Sequence, residues 1–215
     1  IAFASQIESV LHDNGIWHFE QSYMPSMLRT NSYDTICHEH LEFYSLGSVI
    51  NILSKANLKI IDVQMNSING GSFAVTAAKK DSALSENEPV IDWLLSQEKS
   101  MGLSTPKPYR DFEERVFRHR DDLTRLIRSL NSDGKTILGY GASTKGNVLL
   151  QFCGLTKEDI PAIADVNEDK FGCYTPGTEI PIISESEARS MNPDYFLVLP
   201  WHFKNGIIER ETEFL

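Results

Sequence analysis

Cysteine is scarce in this 215-residue sequence. Only Cys37, Cys153 and Cys173 are present; they lie far apart and form no CxxC pair. An odd number of widely spaced cysteines is not typical of a disulfide framework or of a zinc site, and it favours reduced thiols. The sequence also lacks an apolar run near the ~20 residues that span a membrane, and residues 1–12 lack the basic start and cleavage site of a secretory leader. We therefore expect a cytoplasmic protein without a membrane anchor.

Positive charge is the second scarcity. The chain has 20 Lys and Arg residues against 30 Asp and Glu, which gives a formal net charge of −10. An acidic protein repels a phosphate backbone, so the composition argues against a nucleic-acid partner. A single nucleotide ligand stays compatible with this charge, because it needs only local positive groups. Hydrophobic residues make up 41% of the chain, which is enough for an ordinary globular core.

The two ends of the sequence both fall within helical patterns. The chain starts with Ile1 rather than Met and stops at Leu215 inside an apolar periodic stretch. We therefore expect that both ends are cut and that the natural protein continues beyond them.

Hydrophobic periodicity divides the chain into three segments. Residues 1–80 alternate helices and strands, with two strands on either side of residues 66–71 as in a hairpin. Residues 81–131 predict two helices, at residues 89–102 and 109–130, separated by Pro106 and Pro108. Residues 132–215 alternate strands and helices, which indicates a parallel sheet that binds ligands at the carboxyl ends of its strands. The pattern therefore predicts an α/β fold of two units joined by a helical connector.

The densest group of chemically competent side chains lies in a stretch without an apolar period, Tyr33-Asp34-Thr35-Ile36-Cys37-His38-Glu39-His40. A histidine with an ordinary pKa of ~6.5 accepts a proton near neutral pH, and a neighbouring carboxylate can orient it. His38 and His40 also have a spacing that chelates a metal from a strand, although no third ligand is near in sequence. On the residues alone, catalysis, metal binding and a plain polar surface all remain open.

A second motif follows a predicted strand and opens a helix, Gly139-Tyr140-Gly141-Ala142-Ser143-Thr144-Lys145-Gly146-Asn147. Backbone N–H groups hold phosphate in such a setting. Asp165 ends the next predicted strand, where a dinucleotide fold has its ribose-binding acid. However, Thr144 replaces the third glycine of that motif, and Lys145-Gly146 reverses the P-loop order. A tight turn that needs small residues explains the glycines equally well.

Residues 33–46, together with Asn69-Gly70-Gly71-Ser72, resemble the sugar C-methyltransferases of the deoxysugar pathways. The resemblance continues in the same order and spacing through further motifs: residues 139–147, Tyr174-Thr175-Pro176-Gly177-Thr178, Ile180-Pro181-Ile182 and Leu199-Pro200-Trp201. It implies an S-adenosylmethionine-dependent enzyme that methylates a nucleotide-linked keto-deoxysugar by enolisation, at C3 of a dTDP-linked 4-keto-6-deoxysugar.

The same resemblance implies a division into domains. Residues 1–80 become the end of a class I methyltransferase domain, residues 81–131 a helical connector, and residues 132–215 a Rossmann-like C-terminal domain. The family's glycine-rich donor-binding strand and its cysteine-rich zinc module are expected before Ile1. S-adenosylmethionine is therefore expected in the intact protein and zinc only in that preceding module, and we expect the 215 residues alone to lack turnover.

The resemblance also implies roles for particular residues. Glu39 and His40 match the family's active-site pair, with His40 as the base that removes the proton next to the keto group. Tyr33 and Cys37 are expected to contact substrate. Many family members have a tyrosine at the position of Cys37, and a thiol is a weaker hydrogen-bond donor than a phenol. Gly141 and Lys145 are expected to hold the sugar nucleotide.

Two alternatives compete with this interpretation. The motif at residues 139–146 with Asp165 is also compatible with a nicotinamide-dependent oxidoreductase or epimerase that acts on sugar nucleotides. A module that only holds a partner is the other alternative. Trp201-His202 follows a predicted strand and either lines the site or combines a packed tryptophan with a surface histidine.

Overall fold

The computed structural model describes residues 1–215 apart from the side chain of Asn69. The chain forms two compact units, and each unit is built from two stretches of sequence: Ile1–Ser32 with Glu42–Glu113, and Tyr33–Leu41 with Glu114–Leu215. The division into domains at residues 80 and 131 stays a prediction.

The first unit is a three-stranded sheet with helices packed on it. Its elements are α1 (Ala2–Val10), β1 (Ile16–Ser22), α2 (Met24–Thr30), α3 (Leu46–Lys55), β2 (Leu58–Asn66), β3 (Ser72–Lys79) and α4 (Glu88–Ser100). The strand order is β1-β3-β2, with β3 antiparallel to both neighbours. The hairpin predicted around residues 66–71 is therefore confirmed. A longer helix, α5 (Lys107–Ser132), begins in this unit and continues into the second.

A buried carboxylate organises the first unit. Glu98 of α4 is only 6% exposed. It accepts hydrogen bonds from the Tyr23 hydroxyl at 2.9 Å and from the backbone N–H groups of Leu46 and Gly47 at 2.6 and 3.0 Å. These two residues begin α3, so Glu98 satisfies donors that a helix N-terminus leaves unpaired and lies at the positive end of the helix dipole. Burial and then the Glu98 charge raise the pKa of Tyr23, which keeps its hydroxyl a donor.

The second unit contains a four-stranded parallel sheet. Its elements after α5 are β4 (Ile137–Tyr140), α6 (Thr144–Cys153), β5 (Ile163–Asp165), β6 (Ile182–Ser184), α7 (Glu185–Ser190), β7 (Tyr195–Val198) and α8 (Lys204–Arg210). The strand order is β6-β5-β4-β7, and every pair is parallel. Numbered within this unit, the order is 3-2-1-4, as in dinucleotide-binding folds. The predicted α/β fold is confirmed, and the crevice of such a sheet lies between β4 and β7.

The strand β4 separates two apolar layers of the second unit. Ile137 belongs to the layer shared with α5 and α6, whereas Leu138 and Tyr140 belong to the layer shared with α7 and α8. Successive side chains of a strand point to opposite faces, so a fully buried strand of four residues supplies both layers. In the described part of the chain, no helix is long and apolar enough to cross a membrane.

The first prediction concerns Glu98. We expect Glu98→Ala to lower the free energy of unfolding by about 3 kcal/mol, because it leaves buried donors of Tyr23, Leu46 and Gly47 without an acceptor. Urea denaturation followed by circular dichroism measures the change. Glu113→Ala, an exposed substitution in helix α5, is the control and should change stability by less than about 0.5 kcal/mol. Equal effects of the two substitutions would contradict the prediction.

Candidate functional site

The segment that carries the candidate catalytic residues, Tyr33–Leu41, packs within the second unit. It begins with a short 3-10 helix at Tyr33–Thr35, and all three residues of this helix are buried, partly against α6. A stretch that shows no apolar period in sequence is therefore firmly held at its start.

Tyr33 fastens the first end of this segment. Its hydroxyl hydrogen-bonds Nδ1 of His119 at 3.0 Å, and its ring packs on Phe152 with the ring centroids 5.4 Å apart. Burial is the main cause that raises the pKa of the Tyr33 hydroxyl. With only 6% of its surface exposed, Tyr33 serves to fix the segment, and the expected contact with substrate stays a prediction.

Asp34 is the charged centre of the segment. It is 4% exposed, and its Oδ2 accepts a hydrogen bond from the indole Nε1 of Trp201 at 3.0 Å. Lys145, in the first turn of α6, and His202 are both close enough to interact electrostatically with this carboxylate. Neither Asp34 nor His202 is among the residues to which the sequence analysis assigns a role in the site. The only sequence signals were the place of Asp34 beside Tyr33 and of His202 after a strand end.

Burial and, after it, the charges near Asp34 shift the pKa values of Lys145 and His202. Burial lowers the pKa of Lys145, while nearby Asp34 and Cys37 act in the opposite direction. Burial and then the positive charge of Lys145 lower the pKa of His202 below its ordinary value of 6.5, against the attraction of Asp34. His202 is therefore mostly neutral at pH 7. Its Nδ1 is buried and has no hydrogen-bond partner among the described residues.

The candidate catalytic residues form a turn. The carbonyl oxygen of Cys37 accepts a hydrogen bond from the backbone N–H of His40 at 3.1 Å, with His38 and Glu39 between them. His38 and Glu39 are exposed, whereas Cys37 and His40 are half-buried. Because the chain turns here, the two histidines do not have the extended arrangement that chelates a metal from a strand. Among the described residues, no three His, Cys, Asp or Glu side chains gather as a metal site requires. The three cysteines are free thiols.

The glycine-rich turn between β4 and α6 is held by close packing. Gly141 has φ +84°, and a Cβ on it would lie 2.6 Å from atoms of Pro200. Ser143 caps α6 by accepting a hydrogen bond from the N–H of Gly146 at 3.0 Å. The conformation and the proline contact explain why a glycine is needed at 141. Binding of phosphate by this turn stays a prediction.

Asp165, at the end of β5, holds the same turn by accepting hydrogen bonds from its backbone and from neighbouring residues. It is 6% exposed and accepts hydrogen bonds from the backbone N–H groups of Ala142 and Asn167 at 2.7 and 2.8 Å and from Nζ of Lys170 at 3.3 Å. A ribose-binding acid must present its carboxylate to the ligand, whereas Asp165 is buried with its oxygens used inside the protein. Asp165 therefore differs from a ribose-binding acid, because its oxygens already accept three hydrogen bonds from within the protein.

A cleft of about 580 Å³ opens at the carboxyl ends of β4, β5 and β7. Its wall contains Tyr140, whose hydroxyl lies 2.9 Å from Glu211 and is also hydrogen-bonded to Glu185. Burial is the main cause that raises the pKa of Tyr140. His202 lies at the rim of this cleft and also beside Lys145 and Asp34, so the sheet's crevice and the Tyr33–Leu41 segment share a residue.

Residues 67–215 match the family described as C-methyltransferase C-terminal domain. This match covers most of the chain, and the chain therefore belongs to this family. The chain is also 38% identical to C-methyltransferase NovU of Streptomyces niveus over 209 residues. The aligned residues make up 97% of this chain and 50% of that protein. The chain thus spans about half the length of this relative. The resemblance to C-methyltransferases that the sequence motifs indicated is confirmed.

The second prediction concerns Gly141. We expect Gly141→Ala to destabilise the protein at least twice as strongly as Gly172→Ala. Both glycines have positive φ, but a Cβ at Gly172 meets nothing within 4 Å. Gly172→Ala therefore carries only the left-handed strain of about 1 kcal/mol, while Gly141→Ala adds a clash with Pro200. Urea unfolding of both variants gives the comparison, and similar losses would show that Pro200 yields without cost.

Proposed function

We propose that the intact protein transfers a methyl group to the carbon next to the keto group of a nucleotide-linked deoxysugar, at C3 of a dTDP-linked 4-keto-6-deoxysugar. Membership of the C-methyltransferase family supports the reaction type. The observation that carries the proposal is the turn at residues 37–40. It presents Glu39 at an exposed tip and His40 half-buried, on a segment whose base is buried.

In this proposal His40 is the base. A carbon next to a ketone becomes nucleophilic only after it loses a proton, and a positioned imidazole removes that proton. Glu39, the preceding residue, orients the imidazole or binds a sugar hydroxyl. The negative charge of the enolate falls on the former keto oxygen, which nearby positive groups stabilise. Lys145 is a candidate for that contribution and for sugar-nucleotide binding, because its ammonium neighbours Cys37 on the same segment.

S-adenosylmethionine, when bound, supplies the electrophilic methyl group. Asp165, the acid at the strand end next to the glycine-rich turn, already accepts three hydrogen bonds from within the protein and is not free to bind the ribose of the donor's adenosine. We therefore propose that residues outside this chain hold the donor. In the same proposal, residues 1–80 form the C-terminal part of the methyltransferase domain, and residues 81–131 connect it to the C-terminal domain at residues 132–215. The C-terminal domain holds the sugar nucleotide through Gly141 and Lys145, and Tyr33 and Cys37 add contacts from the preceding segment.

The nicotinamide-dependent alternative depends on the turn at residues 139–146 and on Asp165. The burial of Asp165 and its three internal donors count against it. Isothermal titration of the intact protein with NAD and NADP separates the two functions. Submicromolar binding of either nucleotide, without release of S-adenosylhomocysteine from keto-sugar nucleotides, would favour the oxidoreductase or epimerase.

The third prediction concerns His40. In the intact protein, His40→Ala should lower kcat by about 10²–10⁴-fold, the usual contribution of a positioned acid or base. The KM for the sugar nucleotide should change much less, because proton removal is a demand of the transition state. Release of S-adenosylhomocysteine gives the overall rate. Exchange of the sugar proton next to the keto group with deuterium from the solvent reports proton removal separately.

Two neighbouring variants complete the test of His40. His38 lies at the tip of the turn rather than on the same side of a strand, so His38→Ala should retain most of the turnover. Glu39→Gln should slow the reaction, through imidazole orientation or hydroxyl binding. Near-normal turnover of His40→Ala, with exchange of the sugar proton continuing, would show that another residue is the base.

The fourth prediction concerns Lys145. Lys145→Ala should weaken binding of the sugar nucleotide by about tenfold at low salt, because a charge-assisted contact is lost. The difference from the unmodified protein should shrink as salt screens the charge. Lys157→Ala removes an exposed lysine elsewhere in the second unit and is the control. Calorimetric titration measures both, and unchanged affinity of Lys145→Ala at every salt concentration would contradict a role in nucleotide binding.

A further inference from the structure

We propose that Asp34 and Trp201 are positioning residues for the reaction. The hydrogen bond from the Trp201 indole to the Asp34 carboxylate fixes the turn that carries Glu39 and His40 to the carboxyl end of the parallel sheet. The kinetic part of this inference rests on the proposed function. Its structural part, the anchoring of the Tyr33–Leu41 segment, stands without it.

Three overlapping or adjoining backbone hydrogen bonds span the segment from Tyr33 to His40 and enclose Asp34. The N–H of Ile36 donates to the carbonyl of Tyr33 at 2.9 Å, that of Cys37 to Thr35 at 3.1 Å, and that of His40 to Cys37 at 3.1 Å. Each bond restricts the residues that it encloses, so little freedom is left between the 3-10 helix and the turn. A displacement of Asp34 is therefore passed on to His40.

The bond that holds Asp34 is costly to lose. A carboxylate that is 4% exposed needs donors or positive charge to offset its lost hydration. The Trp201 indole supplies a donor at 3.0 Å, and Lys145 supplies positive charge nearby. An unpaired buried acceptor would be destabilised, so the carboxylate favours the one position in which the indole reaches it.

Trp201 is itself held in place. It directly follows Pro200, begins a short 3-10 helix at Trp201–Phe203, and contacts the His202 ring edge-on with the centroids 4.7 Å apart. Pro200 packs on Gly141. The donor is therefore fixed to the end of the sheet, and the segment takes its position from it.

Tyr33 attaches the segment independently of Trp201, so the effect of Trp201 on the position of the turn can be measured apart from its effect on folding. The hydrogen bond of Tyr33 to His119 and its contact with Phe152 do not involve Trp201. Loss of the indole donor should therefore leave the segment attached at Tyr33 but free to shift after it. A shift of about 1 Å at a reacting group is enough to cost up to ~10²-fold in rate, with little effect on substrate binding.

The test uses the intact protein and dTDP-linked 4-keto-6-deoxysugars as probes. Trp201→Phe keeps the ring and removes the donor, and we expect kcat to fall by about 10–100-fold with KM changed less than about threefold. Asp34→Ala should act similarly. Asp34→Asn keeps an oxygen that accepts the indole hydrogen bond, so it should recover a large part of the rate lost in Asp34→Ala.

Matched controls are available in the chain. Trp93→Phe makes the same change at an exposed tryptophan, and Asp159→Asn makes the same change at a carboxylate that is 8% exposed and accepts from Arg128 and Thr156. Asp159→Asn lowers stability without touching the segment, so it should leave kcat within about twofold. A fall in kcat that merely followed thermal stability across all variants would overturn the positioning role.

Hydrogen exchange tests the anchor without any substrate. In Trp201→Phe, the amides of Ile36, Cys37 and His40 should exchange at least about tenfold faster, while the amides of β4 and α6 stay protected. Unchanged exchange in residues 33–41, or an unchanged kcat, would overturn the inference. If the unmodified protein shows neither methyl transfer nor exchange of the sugar proton, the proposed function fails, and the amide measurement still decides whether the anchor exists.

Discussion

The buried carboxylate of Asp34 is the constraint on which the candidate site depends. A carboxylate with so little exposure is stable only where donors and positive charge surround it, and those partners come from the end of β7 and the start of α6. These interactions hold the Tyr33–Leu41 segment in the second unit, although the segment has no apolar face that could pack there. The chemistry proposed for His40 depends on this indirectly, because a base works only where it is held against its substrate.

Buried acidic side chains act in a related way at the start of α3 and at the turn ahead of α6. Glu98 accepts the first N–H groups of α3, and Asp165 accepts that of Ala142 ahead of α6. In each case an acidic side chain from a distant part of the sequence satisfies donors that the local backbone leaves open. The surplus of acidic residues is thus in part structural. The hydrogen bond from Ala142 to Asp165 also holds the glycine-rich turn of the second unit against the end of β5.

Long elements could be predicted from the sequence, and short or buried polar ones could not. The apolar stripe at residues 109–130 predicts α5 to within two residues at each end, because 26 residues show their period clearly. The seven residues of α2 are too few to show an apolar period, and only the proline in its first turn marks its start. The burial of Asp34 depends on a tryptophan 167 residues away. The place of Asp165 at a strand end suggested a ribose-binding acid. No local pattern in the sequence reveals that its carboxylate accepts hydrogen bonds from Lys170 and from two backbone N–H groups.

Tyr33–Leu41 belongs to the second unit, although the residues on either side of it belong to the first. The polypeptide therefore passes from one unit to the other three times, and no single cut in the gene separates them. A chimera that joined residues 114–215 of one C-methyltransferase to the remainder of another would set this segment against a surface with which it did not evolve. Modular exchange in this family thus requires three crossovers, one at each passage between the units, or coordinated change at Asp34 and Trp201. The nine residues of the segment and the distant C-terminal stretch therefore have to be exchanged together, since they form one compact unit.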